Sequence, residues 1–406
     1  MEKNGALAGK TVVLGVCGGI AAYKSVELLR LLQKQDARVR VVMTESATKF
    51  VGPLTFEALS GERVYTDMWE KGDDAIRHIS WANEADLVVV APATANACAK
   101  IAHGIADDPL STLVLAVTAP VLLCPSMNVH MYENRATQDN LAALAKRGYG
   151  VIAPGSGFLA CGDTGAGRLP EPADIVDRIE MLLTKKDLSG RTVLVSAGPT
   201  REFIDPVRFV SNPSSGRMGF AVARAAEHRG AEVILVTGPV HITPPQNVTV
   251  IRVTSALEMA DAVFAHAPKA DIVVKTAAVS DYRPEEAANQ KIKGSRNCMT
   301  LSLCPNPDIL AALGENKRPG TVLVGFAAET EKLARHATEK LKKKNLDIIA
   351  ANLIGAAGSG FSTETNRATL FFRDGTSHSL GLMSKASLAH HILDKAVLIL
   401  HGQLEK

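Results

Sequence analysis

The sequence predicts an α/β protein made of two domains that start alike, and three observations carry that prediction. Residues 7–14 read LAGKTVVL and residues 188–195 read LSGRTVLV, a near-repeat. Each copy runs into a glycine turn, GVCGG at 15–19 and SAGPT at 196–200, and each is followed by a second β-rich run, ARVRVVMT at 37–44 and AEVILVT at 231–237. Running into the second copy is the polar stretch TKKDLSG, around Lys185–Ser189, which ends in glycine and suits a linker. The expected domains are therefore residues 1–186 and 187–406.

A continuous apolar run bounded by turn residues is the pattern of a strand buried on both faces. After the two runs already quoted, the first half adds DLVVVAP (86–92), APVLLCP (119–125) and GYGVIAP (148–154). The second half adds DIVVKTAAV (271–279), TVLVGFAAE (321–329), LDIIAAN (346–352) and ATLFFRD (368–374). Helical periodicity fills the gaps. YKSVELLRLLQKQ (23–35) places Tyr23, Val26, Leu29 and Leu32 on one face, and AVARAAEHRG (221–230) is a second such segment. Both halves are thus βαβ in order, and two Rossmann-like domains are expected. Ligands in open parallel sheets sit at the carboxyl ends of strands. That rule selects Gly15–Ala21, Thr44, Pro92–Asn96, Pro125–Met131, Ala197–Thr200, Ala277–Arg283 and Phe326–Glu329.

Composition narrows the function classes. The 406 residues, at roughly 150 per domain, suit two or three domains. Lys+Arg is 45 against 42 Asp+Glu, a net +3 that is too balanced for a dedicated nucleic-acid binder. Aromatics at 4% argue against a base-stacking surface, and 46% apolar residues exclude overall disorder. The opening MEKNGALAGK lacks the apolar run of a signal peptide. The stretch Leu113–Cys124 is broken by Thr118 and Pro120, so no run reaches the ~20 residues of a spanning helix. The six cysteines form no C-x-x-C pair, which disfavours a disulfide scaffold and a structural zinc site. The expectation is a cytoplasmic α/β enzyme with neither nucleic-acid nor membrane partners.

The segment GVCGGIAAYK follows a strand and opens a helix, where glycines admit a phosphate and the helix N-terminus favours an anion. Its spacing, Gly15, Gly18 and Gly19, departs from G-x-G-x-x-G. The next strand ends at Thr44-Glu45 with no acid placed for an adenosine ribose. A mononucleotide such as FMN fits better than a dinucleotide, which disfavours an NAD-dependent dehydrogenase. Taken alone, the turn equally suits a simple tight bend.

Longer motifs go further. GGIAAYK (18–24), APATAN (91–96), PSMNVHMY (125–132) and ACGDTGAGRLPEP (160–172) resemble the flavin-dependent cysteine decarboxylase family. SAGPTREFIDPVRFVSNPSSGRMG (196–219), AAVSDYRP (277–284), KIKG (291–294) and NPD (306–308) resemble the phosphopantothenate–cysteine ligases. In this order the two sets cover nearly the whole chain and resemble the bifunctional family that joins both activities in coenzyme A biosynthesis. The resemblance implies a flavodoxin-like flavoprotein domain followed by a nucleotide-binding ligase domain.

For the first domain the resemblance implies FMN, held by Gly18, Gly19, Ile20, Thr44, Thr94 and Asn96. In that chemistry the substrate thiol gives a hydride to FMN, carbon dioxide leaves the thioaldehyde, and the ene-thiolate is reduced back. His78 matches the family's catalytic histidine, and an imidazole titrating near neutrality suits proton transfer. Asn128 matches the asparagine whose amide can hold the substrate carboxylate while its other atom is fixed by the fold. Cys161 lies in a glycine-rich stretch that reads as a mobile flap and matches the proton donor to the ene-thiolate. The other five cysteines read as small structural hydrophobes, Cys17 less clearly because it sits in the cofactor turn. Without the motifs, His78 is a capping or surface histidine and Asn128 a turn former.

For the second domain the resemblance implies CTP and Mg²⁺. The carboxylate of 4'-phosphopantothenate attacks the α-phosphorus, giving an acyl-cytidylate and pyrophosphate, and the amine of cysteine then displaces CMP. The protein's task is positioning and charge neutralisation. Lys291 matches the lysine of the first half-reaction, although the family's K-x-K-K ends here in Gly294. Asn212 matches the asparagine of the second, and Ser214, Ser215 and Gly216 precede a helix that could meet the substrate phosphate. Asp281 is the candidate for nucleotide or Mg²⁺ contact. Asn306, Pro307, Asp308, Ile309 and Phe326 are expected to shape the nucleotide pocket. Lys340 and Lys344 share a helical face and are placed on the nucleotide, with Lys342 and Lys343 left to solvent. The resemblance also implies a homo-oligomer, trimeric in the flavin domain, dimeric in the ligase domain and dodecameric overall. The competing reading is a non-catalytic regulatory homologue of the decarboxylases, against which His78, Asn128 and Cys161 together argue.

Overall fold

The computed structural model describes residues 5–69, 76–158, 162–293, 299–329, 333–353 and 363–403. The chain divides into two compact units, Met1–Thr184 and Lys185–Lys406. Among the described residues no helix is long and apolar enough to cross a membrane.

The first unit is built on five parallel strands, β1 (Thr11–Val16), β2 (Arg38–Met43), β3 (Leu87–Ala93), β4 (Val121–Pro125) and β5 (Gly150–Val151). Their order, β2-β1-β3-β4-β5, is the flavodoxin-like doubly wound arrangement. Both faces are covered. Val12, Leu14 and Val16 pack with Leu28, Leu29 and Ile175 on one side, and Val13 packs with Trp81, Cys98 and Leu113 on the other. That double burial is why these strands read as unbroken apolar runs.

Two sequence expectations need correction here. The helix Ala22–Lys34 buries Ala22, Ser25, Leu28, Leu29 and Leu32, while Val26 is only half-buried and Tyr23 is 61% exposed. Ser25 can face the sheet because its hydroxyl donates to the Ala91 carbonyl at 2.6 Å. Part of the glycine-rich stretch, expected to lack regular structure, is strand, and residues 159–161 within it lie outside the described residues. The strands form an antiparallel hairpin, β6 (Gly155–Phe158) and β7 (Thr164–Arg168). The Met127 N–H donates to the Gly167 carbonyl at 3.0 Å, and a Cβ on Gly167 would overlap the Met127 carbonyl. The glycine therefore serves close packing rather than mobility.

The second unit contains β8 (Thr192–Ala197), β9 (Arg201–Phe203), β10 (Phe209–Ser211), β11 (Glu232–Thr237), β12 (Val248–Arg252), β13 (Ile272–Lys275), β14 (Tyr282–Pro284) and β15 (Leu303–Pro305). It continues with β16 (Val322–Glu329), β17 (Ile348–Leu353), β18 (Thr365–Asn366), β19 (Thr369–Phe372), β20 (Ser377–Ser379) and β21 (Met383–Ser384). Its main sheet runs β12-β11-β8-β13-β16-β17-β19-β20, parallel as far as β17 and antiparallel beyond. The first six strands follow the Rossmann order. β9–β10, β14–β15 and β18–β21 are small antiparallel pairs. The sequence reading passes over β12 because this edge strand has only half-buried and exposed residues, with no continuous apolar run.

The near-repeat has a structural cause. Leu7 and Leu188 are both fully buried, and Gly9 and Gly190 turn the chain with φ of +73° and +72°. The Thr11 N–H donates to Asp86 at 2.7 Å and Lys10 pairs with that carboxylate at 2.9 Å. The Thr192 N–H donates to Asp271 at 2.8 Å and Arg191 pairs with it at 3.2 Å. Each aspartate immediately precedes the central strand beside its partner, so one carboxylate ties the first strand of each unit to its neighbour. Burial works to raise the Asp86 carboxyl, but Lys10 and the Thr11 N–H outweigh it and hold it below its ordinary value. The device appears a third time at Asp347, which takes the Leu323 N–H at 2.7 Å and Lys317 at 2.5 Å.

Candidate functional sites

In the first unit the expected cofactor positions lie at one sheet edge. Gly18, Gly19 and Ile20 follow β1, Thr44 follows β2, and Thr94 and Asn96 follow β3, so all six lie at the switch point between β1 and β3. A Cβ on Gly18 would overlap Ser46, whereas Gly19 faces open space. Thr94 caps the helix Ala95–His103 by accepting the Ala97 N–H at 3.2 Å. Asn96 is exposed and Ile20 is 63% exposed. The Thr44 hydroxyl is buried with no hydrogen-bond partner among the described residues, an unusual state that a polar ligand group would relieve. This uncharged set of hydroxyl, amide, backbone and apolar groups fits the flavin mononucleotide expected there.

His78 stands half-buried in the first turn of the helix Arg77–Glu84. The far end of that helix pairs Glu84 with Arg40 of β2 at 2.8 Å. The near end lays Arg77 over the ring of Tyr65, whose carbonyl accepts the N–H of Met43. His78 is thereby held toward the carboxyl end of β2. Asn128 follows β4. Its Oδ1 accepts the His130 N–H at 2.8 Å and its Nδ2 donates to Asp163 Oδ2 at 2.9 Å. One atom is fixed by the fold, and the amide NH₂ already carries a carboxylate.

Cys17 lies beneath the glycine turn, 1% exposed, and burial pushes its thiol up to about 12. A thiol so protonated is inert at neutral pH, which makes Cys17 structural. Cys98 is raised to about 12 for the same reason, and Cys124 is fully buried. Cys304 departs from the expected pattern in being only half-buried. Cys161 and Cys298 lie outside the described residues.

The second unit holds a cavity of about 520 Å³ at the carboxyl edge of its sheet. Asn212, Asp281, Asn306, Pro307, Asp308, Ile309, Phe326, Lys340 and Lys344 all line it. The helix Arg217–His228 starts on its wall. A Cβ on Gly219 would stand 2.5 Å from both Ala197 Cβ and Thr276 Oγ1, so glycine lets this first turn press onto the strand ends. Asn212 Nδ2 donates to the carbonyls of Val279 and Ala278, at 3.1 and 3.4 Å. Asn306 Nδ2 donates to the Ser280 carbonyl at 2.9 Å, while its Oδ1 accepts from Arg283 at 3.2 Å. Asp308 caps the helix Ile309–Glu315 and pairs with Lys344 at 2.7 Å. Lys340 donates to the Phe326 carbonyl at 3.0 Å, and Lys342 and Lys343 are exposed. The Ser280 hydroxyl, on the same wall, is buried without a partner among the described residues.

Lys275 was not foreseen from the sequence. It ends β13, lines the cavity, and among the described residues makes only a long hydrogen bond, 3.5 Å, to the Ala277 carbonyl. Burial, followed by the nearby Lys340 and Lys344, pushes its ammonium down to about 8 against the pull of Asp308 and Asp281. The available signal was a lysine closing an apolar run at the carboxyl end of an expected strand. Arg217 and Lys385 line the cavity as well, and burial with Arg217 lowers the Lys385 ammonium. So many cations on one concave wall favour an anionic ligand.

One expected residue stands apart. Lys291 is exposed and is not among the residues that line the cavity. Asp281 is exposed on the wall, and among the described residues no cluster of three His, Cys, Asp or Glu ligands forms around it. A lone carboxylate suits a hard cation carried mainly by phosphate oxygens.

Both edges obey the switch-point rule, which places the molecule among the doubly wound proteins that handle cofactors and nucleotides. Family comparison is specific. A model described as flavoprotein matches residues 1–184, and one described as DNA/pantothenate metabolism flavoprotein C-terminal domain matches residues 188–399. The coenzyme A biosynthesis bifunctional protein CoaBC of Bacillus subtilis is 48% identical over 394 residues, covering 96% of this chain and 97% of that protein. Its Vibrio cholerae counterpart is 48% identical over 404 residues, 98% of this chain and 99% of that one. The crystal structure of a CoaBC C-terminal domain is 41% identical with a TM-score of 0.47, covering 54% of this chain and 100% of that one. The chain belongs to the family of coenzyme A biosynthesis bifunctional proteins.

Proposed function

We propose that this chain performs two successive steps of coenzyme A biosynthesis, ligation of 4'-phosphopantothenate to cysteine in the second unit and decarboxylation of the product to 4'-phosphopantetheine in the first. The observation that carries the reading is a cationic cavity lined by Asn212, Asp281, Asn306, Asp308, Lys340 and Lys344, all chosen from sequence. In the ligation, the substrate carboxylate bonds to the α-phosphorus of CTP and pyrophosphate leaves. The cysteine nitrogen then bonds to the acyl carbon, CMP leaves, and the amine loses a proton. Lys275, Lys340 and Lys344 neutralise phosphate charge, and Asp281 would hold a Mg²⁺ ion, which would supply further charge neutralisation. Lys291 serves the formation of the acyl-cytidylate, and Asn212, anchored on Ala278 and Val279, serves the amine step.

In the first unit Gly18, Gly19, Ile20, Thr44, Thr94 and Asn96 hold FMN, which when bound supplies a reversible two-electron oxidation of the substrate thiol. His78 moves the thiol proton, Asn128 holds the carboxylate that departs as carbon dioxide, and Cys161 returns a proton to the ene-thiolate. The proposal includes a cytoplasmic homo-oligomer, dodecameric from trimeric first units and dimeric second units. The test is incubation of the purified chain with 4'-phosphopantothenate, cysteine, Mg²⁺ and CTP or ATP in turn, followed by mass spectrometry. Phosphopantothenoylcysteine and phosphopantetheine should form with CTP. Neither product with any nucleotide, or a colourless protein that cannot be reconstituted with FMN, overturns the corresponding half.

A further inference from the structure

Lys291 poses a geometric problem. The chemistry proposed above needs its ammonium at the reacting phosphate, yet the residue is exposed and the described residues of its segment do not line the cavity. A long side chain on an untethered backbone would sample many positions, and a misplacement of about 1 Å can cost about 10²-fold in rate.

The backbone next to Lys291 is, however, gripped at both of its polar atoms. The Ile292 N–H donates to Asp205 Oδ2 at 3.2 Å, and the Ile292 carbonyl accepts from Arg208 Nη1 at 3.1 Å. Arg208 Nη1 also donates to Asp205 Oδ2 at 3.0 Å, closing the clamp on itself. Asp205 is fixed in turn. Its Oδ1 accepts the N–H groups of Val207 and Arg208, both at 2.8 Å, and the residue is 1% exposed. Its loop joins β9 to β10, and the Arg208 carbonyl accepts the N–H of Ile204 at 2.9 Å. Burial works to raise the Asp205 carboxyl, but the three backbone donors and Arg208 outweigh it and hold it below its ordinary value. A buried, fully satisfied carboxylate is a rigid anchor.

We infer that Asp205, with Arg208, is a positioning residue that fixes the Ile292 peptide and thereby delivers Lys291 to the nucleotide. The inference rests on the ligase reading of the second unit. Asp205 touches no substrate in this scheme. Its carboxylate supplies the acceptor that the Ile292 N–H needs, and its charge orients the guanidinium that takes the Ile292 carbonyl.

The test uses the full-length enzyme and the variants Asp205→Asn, Lys291→Gln and the pair combined. Pyrophosphate release from CTP, 4'-phosphopantothenate and cysteine gives kcat and KM, calorimetry gives CTP affinity, and hydrogen exchange at the Ile292 amide reads the clamp without turnover. Asp205→Asn should lower kcat by about 10–100-fold, leave CTP affinity unchanged and speed Ile292 exchange. Combined with Lys291→Gln it should be no slower than Lys291→Gln alone, because the two act through one group. Multiplicative losses, an unchanged kcat or unaltered Ile292 exchange would each overturn the inference. If Asp205→Asn does not fold, Arg208→Lys takes its place, since an ammonium cannot span both partners as the planar fork does. It should reduce kcat with unchanged melting temperature, and a wild-type kcat would sink the idea. A wild-type enzyme that releases no pyrophosphate while Ile292 remains protected refutes the ligase reading and, with it, the delivery role, but leaves the clamp standing as structure.

Discussion

The two units begin with the same eight-residue pattern and the same aspartate tie, and they end with different chemistry at their edges. In the first, only β2 lies outward of the leading strand, and the carboxyl edge offers glycine, threonine and asparagine. In the second, β11 and β12 both lie outward, and the edge gathers Lys275, Lys340 and Lys344 around one cavity. The shared start determines where a ligand sits, because both sites fall at a switch point. The loops determine which ligand it is. A neutral edge suits a ring bearing one phosphate, and a cationic edge suits a polyphosphate.

The sharpest way to break this comparison is to silence one edge and assay the other. His78→Asn should lower carbon dioxide release from phosphopantothenoylcysteine by about 10²–10⁴-fold while pyrophosphate release stays at wild type. A loss in both assays would mean that the units are not chemically separate. Gly219→Val comes next. Its side chain collides with Ala197 and Thr276, and it should destabilise the second unit by about 1–3 kcal/mol while thermal release of flavin from the first is unchanged. Equal melting of variant and wild type would contradict the close approach.

Lys275 tests the charge argument with an effect of similar or smaller size. A triphosphate favours its ammonium form, so nucleotide affinity should be complete below the depressed value of about 8 and fall as pH rises through it. Lys275→Met should remove that pH limb and raise the nucleotide KM about tenfold at pH 7, or ~1.4 kcal/mol. For stability the sign is opposite. The unfolded chain binds the extra proton between about 8 and the ordinary 10.5, so the ligand-free fold gains stability as pH rises through that window. A nucleotide KM that follows the same pH curve in both proteins would discredit the role. At the small end, Lys342→Ala should change stability by less than about 0.5 kcal/mol, because that lysine is exposed. A larger shift in a denaturant titration would show that the helix face is misassigned.

Much of this was legible in the sequence because doubly buried strands and long motifs are local signals. What escaped was set by tertiary neighbours. Tyr23 counts as apolar in a helical pattern, yet Ser25 takes the buried position because Ala91 offers it a carbonyl. β12 is an edge strand, and half-exposed edges do not need the apolar run that betrays β1 or β8. Lys275 carries no motif. Only the sheet order brings it near Lys340 and Lys344, far along the chain. Asp205 reaches Ile292 across 87 residues, a pairing that no spacing rule anticipates.

The hydrogen bond from Asn128 to Asp163 bears on the role proposed for that amide. An NH₂ group carries two N–H donors, and one of them already serves the protein's own carboxylate. A substrate carboxylate must either displace Asp163 or stand beside it on the same nitrogen, like charge against like. Either way the net driving force is less than the whole of one charge-assisted hydrogen bond. Selectivity for the substrate would then come from the rest of its body, because a bare acetate-like group gains little by either route.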